Sequence, residues 1–296
     1  MLHTGKRRFD ATAFLFIAPA FVLFTLFLIV PTVSSVYYSF TSWDGISPNI
    51  KWIGLANYRE IFTSARFGNA LKNTALLTVV ISVFENVLAL ALALLVDNVC
   101  RAKNLFRAVF YLPVILSGIV SGFIWKIMYN YNFGPINKVL LSLGLGGLRQ
   151  DWIGNASLAI WAVALVMIWK GAGYYMIIYL AALQGVPQDV QEAATIDGAT
   201  AAQRFRFITL PLISGSFTIC FTLSLINGLK VFDQIAVMTD GGPGFATETI
   251  VYLLYKSGFG EGRQGFGTAV GIVLLLIILV LNGAQSKILR AKEVQL

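Results

Sequence analysis

The stretch KNTALLTVVISVFENVLALALALLV, residues 72–96, is apolar over a length that crosses a lipid bilayer. A membrane-spanning helix needs roughly 20 apolar residues at about 1.5 Å each, because lipid offers no hydrogen-bond partners to the backbone. Five further stretches share this character, and none alternates with the period of a barrel strand. The predicted spans are residues 12–36, 72–96, 106–128, 157–183, 212–233 and 266–289.

Composition supports a membrane protein. Of the 296 residues, 57% are hydrophobic and only 12% are charged, whereas soluble domains carry about 25% charge. The net charge of +8 comes from Lys and Arg clustered between apolar runs. That is the usual place for them in membrane proteins, so lipid and not nucleic acid is the expected surrounding. The fold class predicted from these features is an all-α membrane protein with six transmembrane helices.

Basic residues also suggest the orientation of the chain. They are densest in short segments around residues 6–8, 101–107 and 287–292. Because cytoplasmic flanks carry the excess of Lys and Arg, both termini are expected in the cytoplasm. The corresponding division is a cytoplasmic N-terminus (1–11), a first transmembrane helix with an extracytoplasmic loop (12–70), a core of transmembrane helices 2–6 with the loop 184–211 (71–290) and a cytoplasmic tail (291–296).

The loop between the fourth and fifth spans, residues 184–211, contains two helix signals separated by a glycine. Pro187 favours a helix start, where a missing N–H is harmless. Asp197-Gly198 favours an interruption, since glycine adopts positive φ freely. Residues 199–208 can then form a second short helix. Glu192 offers charge-assisted bonds to a partner protein, although the same pattern also fits an ordinary amphipathic linker.

The order of residues in this loop is more specific than its helix signals. It contains Glu192-Ala193-Ala194, then Asp197-Gly198-Ala199, then Phe205, Ile208 and Leu210-Pro211. This pattern resembles the EAA loop of ATP-binding-cassette importer permeases, in which coupling helices dock in a cleft of the ATPase. The resemblance implies a coupling helix between helices 4 and 5, with an ATPase-coupling role for Glu192, Ala193, Ala194, Asp197, Gly198, Ala199 and Pro211.

Two further matches narrow the resemblance to carbohydrate permeases of the maltose and multiple-sugar type. One is Thr239-Asp240-Gly241-Gly242-Pro243 with Thr247 and Thr249, similar to an outside loop of the subunit that pairs with a different second permease. The other is the N-terminal stretch with Tyr38-Ser39-Phe40 and Asn57-Tyr58. The resemblance covers nearly the whole chain.

This resemblance implies a sugar importer of the bacterial or archaeal cytoplasmic membrane. The implied partners are a second permease subunit, an ATP-binding-cassette ATPase dimer and an extracytoplasmic sugar-binding protein. The chain has no GxxxxGK[ST] phosphate loop, so ATP and its Mg²⁺ are expected on the partner ATPase. Neither a cofactor, a metal site nor a catalytic residue is expected in this chain, and no membrane-enzyme motif occurs.

Polar residues inside the spans are the candidate substrate contacts, because such residues are costly in lipid and usually functional. At positions that contact sugar in the similar maltose permease, this sequence matches with Gly171, Tyr174 and Ser224. It departs at Met167, Lys170, Asn227, Gly228 and Val231. The predicted substrate-binding residues are Gly171, Tyr174, Ser224, Asn227, Gly228, Lys170 and Lys230.

Several alternatives stay open at this point. The polar stripe of Ser224, Asn227 and Lys230 also fits hydrogen bonding between helices or to the second permease. Glu85 is interpreted as a helix–helix or subunit contact rather than a substrate ligand. The two lysines admit a substrate with acidic or phosphate groups. An ion-coupled secondary transporter that uses Glu85, Asp233 and the two lysines as a proton relay is the alternative function.

Overall fold

The computed structural model describes residues 11–98 and 102–290. Residues 1–10, 99–101 and the predicted tail 291–296 lie outside the described residues. The basic flanks that they contain, such as Arg7 and Arg101, and the cysteine Cys100 lie outside them as well. The predicted orientation of the termini therefore remains a prediction from charge.

Within these ranges the chain is helical, apart from one isolated bridge between Thr41 and Trp52. The α-helices are α1 Ala11–Phe24, α2 Val30–Ser39, α3 Ala56–Thr63, α4 Ala65–Asn98, α5 Lys103–Ile115, α6 Gly118–Met128, α7 Pro135–Ser142, α8 Ala156–Gln184, α9 Gln188–Ile196, α10 Ala201–Arg204, α11 Leu210–Leu212, α12 Ser214–Leu229, α13 Ile250–Tyr255 and α14 Gln264–Arg290. Single π-helical turns follow α1, α10 and α13, and one more covers Ile235–Thr239.

Four helices are long and apolar enough to cross a membrane: Leu15–Ser39, Ala65–Asn98, Ala156–Gln184 and Gln264–Leu289. Two further spans are bent pairs. The helices α5 and α6 meet at 95°, and Ala201–Leu212 meets α12 at 68°. If each bent pair is one span, the described residues hold six, which is the predicted number.

The predicted third span, residues 106–128, is a bent pair of helices and not one continuous helix. The chain leaves the helix at Leu116, where ψ is 136°, and re-enters it after Ser117. Pro113 lies in the last turn of α5, and a proline lacks the N–H that continues a helix. Ser117 then caps α6, because its Oγ accepts from the N–H of Val120 at 3.1 Å. A proline and a cap four residues apart thus make the corner.

The predicted fifth span, residues 212–233, is also too long. The helix α12 ends at Leu229, and Lys230 has a φ of −102° and a ψ of 14°. Gly228 sits just before this end, where glycine weakens a helix. As a result, Val231 and Phe232 leave the helix before the chain turns again into Ile235–Thr239.

The long helix α4 lies at the centre of the bundle and packs along α8 and α12. Glycines allow the closest approaches, as is usual between membrane helices. A Cβ atom added at Gly173 would lie 2.2 Å from the carbonyl oxygen of Phe110, so α8 touches the backbone of α5 here. At the other side, a Cβ at Gly228 would lie 2.8 Å from the Cα of Thr78 on α4.

Replacing Gly173 with alanine is expected to lower the free energy of unfolding by about 1–3 kcal/mol, the usual cost of overpacking. The new methyl group meets a backbone carbonyl, which cannot rotate away as a side chain can. Thermal unfolding of the purified protein in detergent measures the effect. Gly215→Ala in α12 is the control, since no atom lies within 4 Å of its Cβ position. Equal midpoints for the two variants would refute this account of the α5–α8 contact.

The first span turns its apolar side chains outward. Phe16 is 82% exposed and Phe27 is 78% exposed. Its second half, α2, packs on α14. Large apolar side chains are buried in soluble proteins, so this surface needs lipid or another membrane chain to cover it.

Candidate functional site

A cavity of about 420 Å³ opens between α4, α8, the corner of α5 and α6, and the segment after α12. Five predicted substrate contacts line it: Lys170, Gly171, Tyr174, Asn227 and Lys230. The helix α8 supplies the first three from a single turn. The early end of α12 brings Lys230 onto the cavity wall beside Asn227. The structure therefore brings together residues that lie some 60 positions apart in the sequence.

The side chains on the wall combine donors with an aromatic surface. Tyr174 is 42% exposed, so its ring is open to the cavity. Asn227 is oriented by one hydrogen bond, in which its Nδ2 donates to the hydroxyl of Tyr175 at 3.2 Å. This bond joins α12 to α8, so the interhelical role considered for Asn227 and its place on the cavity wall coexist. Its carbonyl oxygen remains available to a ligand.

Two other predicted contacts lie in the helix interface rather than on the cavity wall. Ser224 is fully buried, and its Oγ accepts from Nδ2 of Asn86 at 2.9 Å. Gly228 lies against the backbone of Thr78. Both residues shape the contact between α4 and α12 in this conformation. Their contact with substrate stays a prediction.

Asn86 is the centre of a buried hydrogen-bond network that joins three helices. Its Nδ2 donates to the carbonyl of Ser82 at 2.7 Å as well as to Ser224. Its Oδ1 accepts from the hydroxyl of Tyr179 at 2.6 Å. A satisfied buried network fixes one arrangement of the helices around it. The network thus holds α4, α8 and α12 in register directly beside the cavity.

Glu85 also lines the cavity, although the sequence predicted a helix–helix or subunit contact for it. Only 4% of it is exposed, yet it lines the cavity. In the described part of the chain it has no ion pair within 4.0 Å, and its Oε2 atom has no hydrogen-bond partner. The helix–helix ion pair considered for Glu85 is therefore absent from these residues. The sequence signal for a place on the cavity wall was that Glu85 is polar, adjoins Asn86 and lies in an apolar run.

The second candidate site is the loop at the other end of α8. The helix α9, Gln188–Ile196, begins directly after Pro187, as predicted, and has Asp189 in its first turn. Gly198 has a φ of +80°, a value that favours glycine. The next helix starts at Ala201 rather than at residue 199, because Thr200 forms a capping box with Gln203.

The two helices of this loop are tied to each other across Gly198. The Nη1 atom of Arg204 donates to Oγ1 of Thr195 at 3.0 Å and to the carbonyl of Ala199 at 3.2 Å. Farther along, Nε2 of Gln191 donates to Oγ1 of Thr209 at 2.9 Å. Hydrogen bonds between the two arms of a loop make it move as one piece. The chain runs from this loop through Leu210–Leu212 into α12.

The outer surface of the loop carries the predicted coupling residues. Glu192 is exposed and accepts one hydrogen bond from Nε2 of Gln188 at 2.8 Å. Apolar side chains stand free beside it, with Ile196 86% exposed and Phe207 68% exposed. Ala193, Asp197 and Gly198 are also exposed, whereas Ala194, Ala199 and Pro211 are half-buried. Exposed apolar anchors beside a charge are typical of a protein contact.

The loop between Thr239 and Thr249 is folded onto the bundle. The hydroxyl of Tyr252 donates to the carboxylate of Asp240, which lowers the pKa of Asp240. That bond stabilises the loop fully above the ordinary Asp value of 3.8, and the contribution is lost as pH falls through the lowered pKa. The hydroxyls of Thr239 and Thr247 are 2.7 Å apart and close the loop at its base.

Comparisons with known proteins agree with this geometry. Residues 76–293 match the family described as binding-protein-dependent transport system inner membrane component. The chain is 35% identical to a probable starch degradation products transport system permease of Thermoanaerobacterium thermosulfurigenes, over 95% of both chains. It is 32% identical to the trehalose/maltose transport system permease of Thermococcus litoralis, over 93% of this chain and 92% of that protein.

The fold is similar to that of a solved transporter chain. A chain in the crystal structure of a bacterial ATP-binding-cassette transporter that imports the acidic polysaccharide alginate superposes with a TM-score of 0.84. The two chains are 25% identical, and the match covers 95% of this chain and 96% of that one.

Proposed function

Since the chain belongs to the family of binding-protein-dependent transport system inner membrane components, we propose that a sugar crosses the membrane through the cavity between α4, α8 and α12. The chain is a membrane-spanning permease subunit of a sugar importer of the ATP-binding-cassette type. It is a transport subunit rather than an enzyme, and the ATPase is a separate chain.

The observation that carries the proposed route is the convergence of polar side chains inside an apolar bundle. Lys170 and Asn227 come from two different spans and face one cavity together with the ring of Tyr174. Intramembrane polar groups persist where they serve a pathway. A sugar needs hydrogen-bond donors and acceptors on its edges and an apolar surface against its rings, and this wall offers both. The substrate class proposed is a di- or oligosaccharide or a related compound.

The loop of α9 and α10 is the proposed docking element for the ATPase. Ile196 and Phe207 provide exposed apolar anchors, and Glu192 offers charge-assisted bonds. The bonds of Arg204 across Gly198 make the loop rigid. ATP and Mg²⁺ bind to the partner ATPase dimer in this proposal, and closure of that dimer moves the loop.

The surroundings of the chain follow from the same assignment. The exposed apolar face of α1 contacts lipid or the second permease subunit. A sugar-binding protein delivers substrate from outside, on the side of the Thr239–Thr249 loop. The docking loop and both termini lie in the cytoplasm, as the density of Lys and Arg indicates. The membrane proposed is the cytoplasmic membrane of a bacterium or archaeon.

The proposed mechanism is alternating access. A loaded binding protein docks outside while the ATPase dimer closes on ATP, and the docking loop rocks α12 and its neighbours. The span made of α5 and α6 changes direction at the corner at Leu116. The span that ends in α12 changes direction at the bend at Ile213. Interrupted spans with backbone that lines a cavity are usual at transport sites. Hydrolysis then resets the cavity to face inward.

Tyr174→Ala is expected to reduce sugar uptake about tenfold, equivalent to ~1.4 kcal/mol of lost binding. The substitution removes the aromatic surface of the cavity without touching the docking loop. Uptake by the reconstituted transporter measures the effect, and co-purification of the ATPase checks assembly. Tyr131→Ala is the matched control, because Tyr131 is 44% exposed and lies outside the cavity lining. Equal uptake by both variants would remove Tyr174 from the proposed route.

A further inference from the structure

Four charged side chains face the cavity, two of each sign: Lys170, Lys230, Glu85 and Asp233. Throughout residues 11–98 and 102–290, none of the four takes part in an ion pair within 4.0 Å. A charged group inside a membrane protein normally has a partner, because its transfer from water is costly. Two carboxylates and two ammonium groups around one cavity can offset one another's charge beyond ion-pair distance and can also bond to a ligand that enters it.

Glu85 is the least accessible of the four. It is 4% exposed, and its Oε2 atom is without a hydrogen-bond donor. Burial disfavours the charged form of Glu85, whereas Lys170, which lines the same cavity from beyond ion-pair distance, favours it. A buried carboxylate oxygen with no donor costs free energy unless something supplies a proton to it. The hydroxyl groups of a sugar are suitable donors.

Each carboxylate lies against a glycine. A Cβ atom at Gly171 would be 2.0 Å from Oε1 of Glu85, and a Cβ at Gly118 would be 2.1 Å from Oδ2 of Asp233. Any other residue at these two positions would displace the carboxylate. Gly118 is also the first residue of α6, whose N-terminal amides favour a negative charge nearby. The fold therefore provides a place for both carboxylates beside the lysines.

We propose that Glu85 and Asp233 balance Lys170 and Lys230, and that the cavity thereby selects an uncharged saccharide over an acidic one. The carboxylates accept from sugar hydroxyls, and the ammonium groups donate to sugar oxygens. The carboxylate of an acidic saccharide would meet two like charges, which offset the attraction of the lysines. This inference rests on the proposed function of the cavity and names its substrate class.

Charged thiol reagents test this balance without any transport. Val114 lines the cavity, and cysteine is close to valine in size. In the assembled transporter with Cys100→Ser and Cys220→Ala, Val114→Cys is treated with methanethiosulfonates that carry a trimethylammonium or a sulfonate group. The readout is the ratio of the cationic to the anionic reaction rate. Ser142→Cys, which is exposed and outside the cavity, gives the reference ratio.

The ratio at Val114→Cys is expected to lie within about threefold of the reference, because the four charges cancel. Adding Glu85→Gln is expected to lower the ratio about tenfold, and Lys170→Gln to raise it about tenfold, as expected for one charge at close range. Uncharged methyl methanethiosulfonate must react at the same rate in all three, which shows that access is unchanged. Asp233→Asn, at a less buried site, replaces Glu85→Gln if that variant does not assemble.

Two results would overturn the inference. One is an unmodified cavity that favours the anionic reagent tenfold, which would point to acidic saccharides. The other is an unchanged ratio of cationic to anionic reaction rate in both the Glu85→Gln and the Asp233→Asn variants, while the uncharged reagent still reacts normally. Because these rates need no uptake, either result leaves the proposed transport function standing. Loss of the proposed function would instead appear as absent uptake with the expected reagent ratios.

Discussion

A chain that carries Glu192→Lys together with Gly198→Pro is expected to lose ATP-driven sugar uptake by about 100-fold or more. Anchor residues of protein interfaces each contribute roughly 2–4 kcal/mol, so two changes at one docking surface suffice for this loss. The lysine reverses the charge that the loop offers to the ATPase. Proline fixes φ near −65°, whereas Gly198 has a φ of +80°.

The second substitution acts on the shape of the loop. Gly198 lies between the arms that Arg204 joins through Thr195 and Ala199. A proline here also removes the N–H that Gly198 donates to the carbonyl of Thr195 at 3.1 Å. The arm that carries Ile196 and the arm that leads to α12 would then lose their fixed relation. Both docking and transmission are expected to fail.

Co-purification of the ATPase and uptake into proteoliposomes measure the two effects separately. The matched control is Glu60→Lys with Gly144→Pro. Gly144 has a φ of +74°, and its N–H donates to the carbonyl of Leu141 at 3.0 Å, so the same chemistry changes outside the docking loop. Normal assembly and normal uptake in the Glu192→Lys, Gly198→Pro chain would disprove the coupling role of this loop.

Arg66→Met is expected to lower the free energy of unfolding by about 3–5 kcal/mol, the usual cost of removing one partner of a buried ion pair. Glu248 is 1% exposed, and two nitrogens of Arg66 hold its carboxylate at 2.8 and 2.9 Å. Without the guanidinium, this carboxylate stays buried without its ion-pair partner. The pair also attaches the Thr239–Thr249 loop to the start of α4, so the loop is expected to detach first.

Denaturant titration in mixed micelles measures this loss. Glu261→Gln is the control, because the bond of Arg66 to Glu261 is exposed and such pairs contribute about 0–1 kcal/mol. The double variant Arg66→Met, Glu248→Met is expected to regain most of the stability, since no charge is left buried. A single variant no less stable than the Glu261→Gln control would contradict this account of the ion pair.

The sequence predicted the spans well where a long apolar run was sufficient. The predicted span 157–183 corresponds to the observed helix Ala156–Gln184, and the predicted span 266–289 corresponds to Gln264–Arg290. It failed where a local break outweighed the apolar pattern, at Ser117 and at Lys230. A hydropathy pattern does not detect a capping hydroxyl. It also does not show that a glycine weakens the end of a helix. Both breaks lie on the cavity wall or beside it, where irregular backbone is tolerated.

Some residues of the candidate site could likewise be predicted from the sequence, and others could not. Lys170 and Asn227 were predicted because polar residues in a span are conspicuous, and Tyr174 was predicted from the resemblance to the maltose permease; all three line the cavity. The position of Glu85 on the cavity wall was not predicted, since nothing in the sequence shows that Gly171 lies under its carboxylate. The pair of Arg66 and Glu248 was missed for the same reason, as the partners are 182 residues apart. Local spacing cannot reveal contacts that only the packing of distant helices creates.

Uptake of sugar by the reconstituted complex, with ATP held constant inside the vesicles, tests the central claim most directly. The account predicts that uptake requires the binding protein and the ATPase, and that a protonophore leaves its rate unchanged. Both results follow if the partner ATPase, closing on ATP and acting through the loop of α9 and α10, is the only energy source for transport. Uptake that collapses under the protonophore, or that proceeds without the ATPase, would contradict the account and favour an ion-coupled carrier.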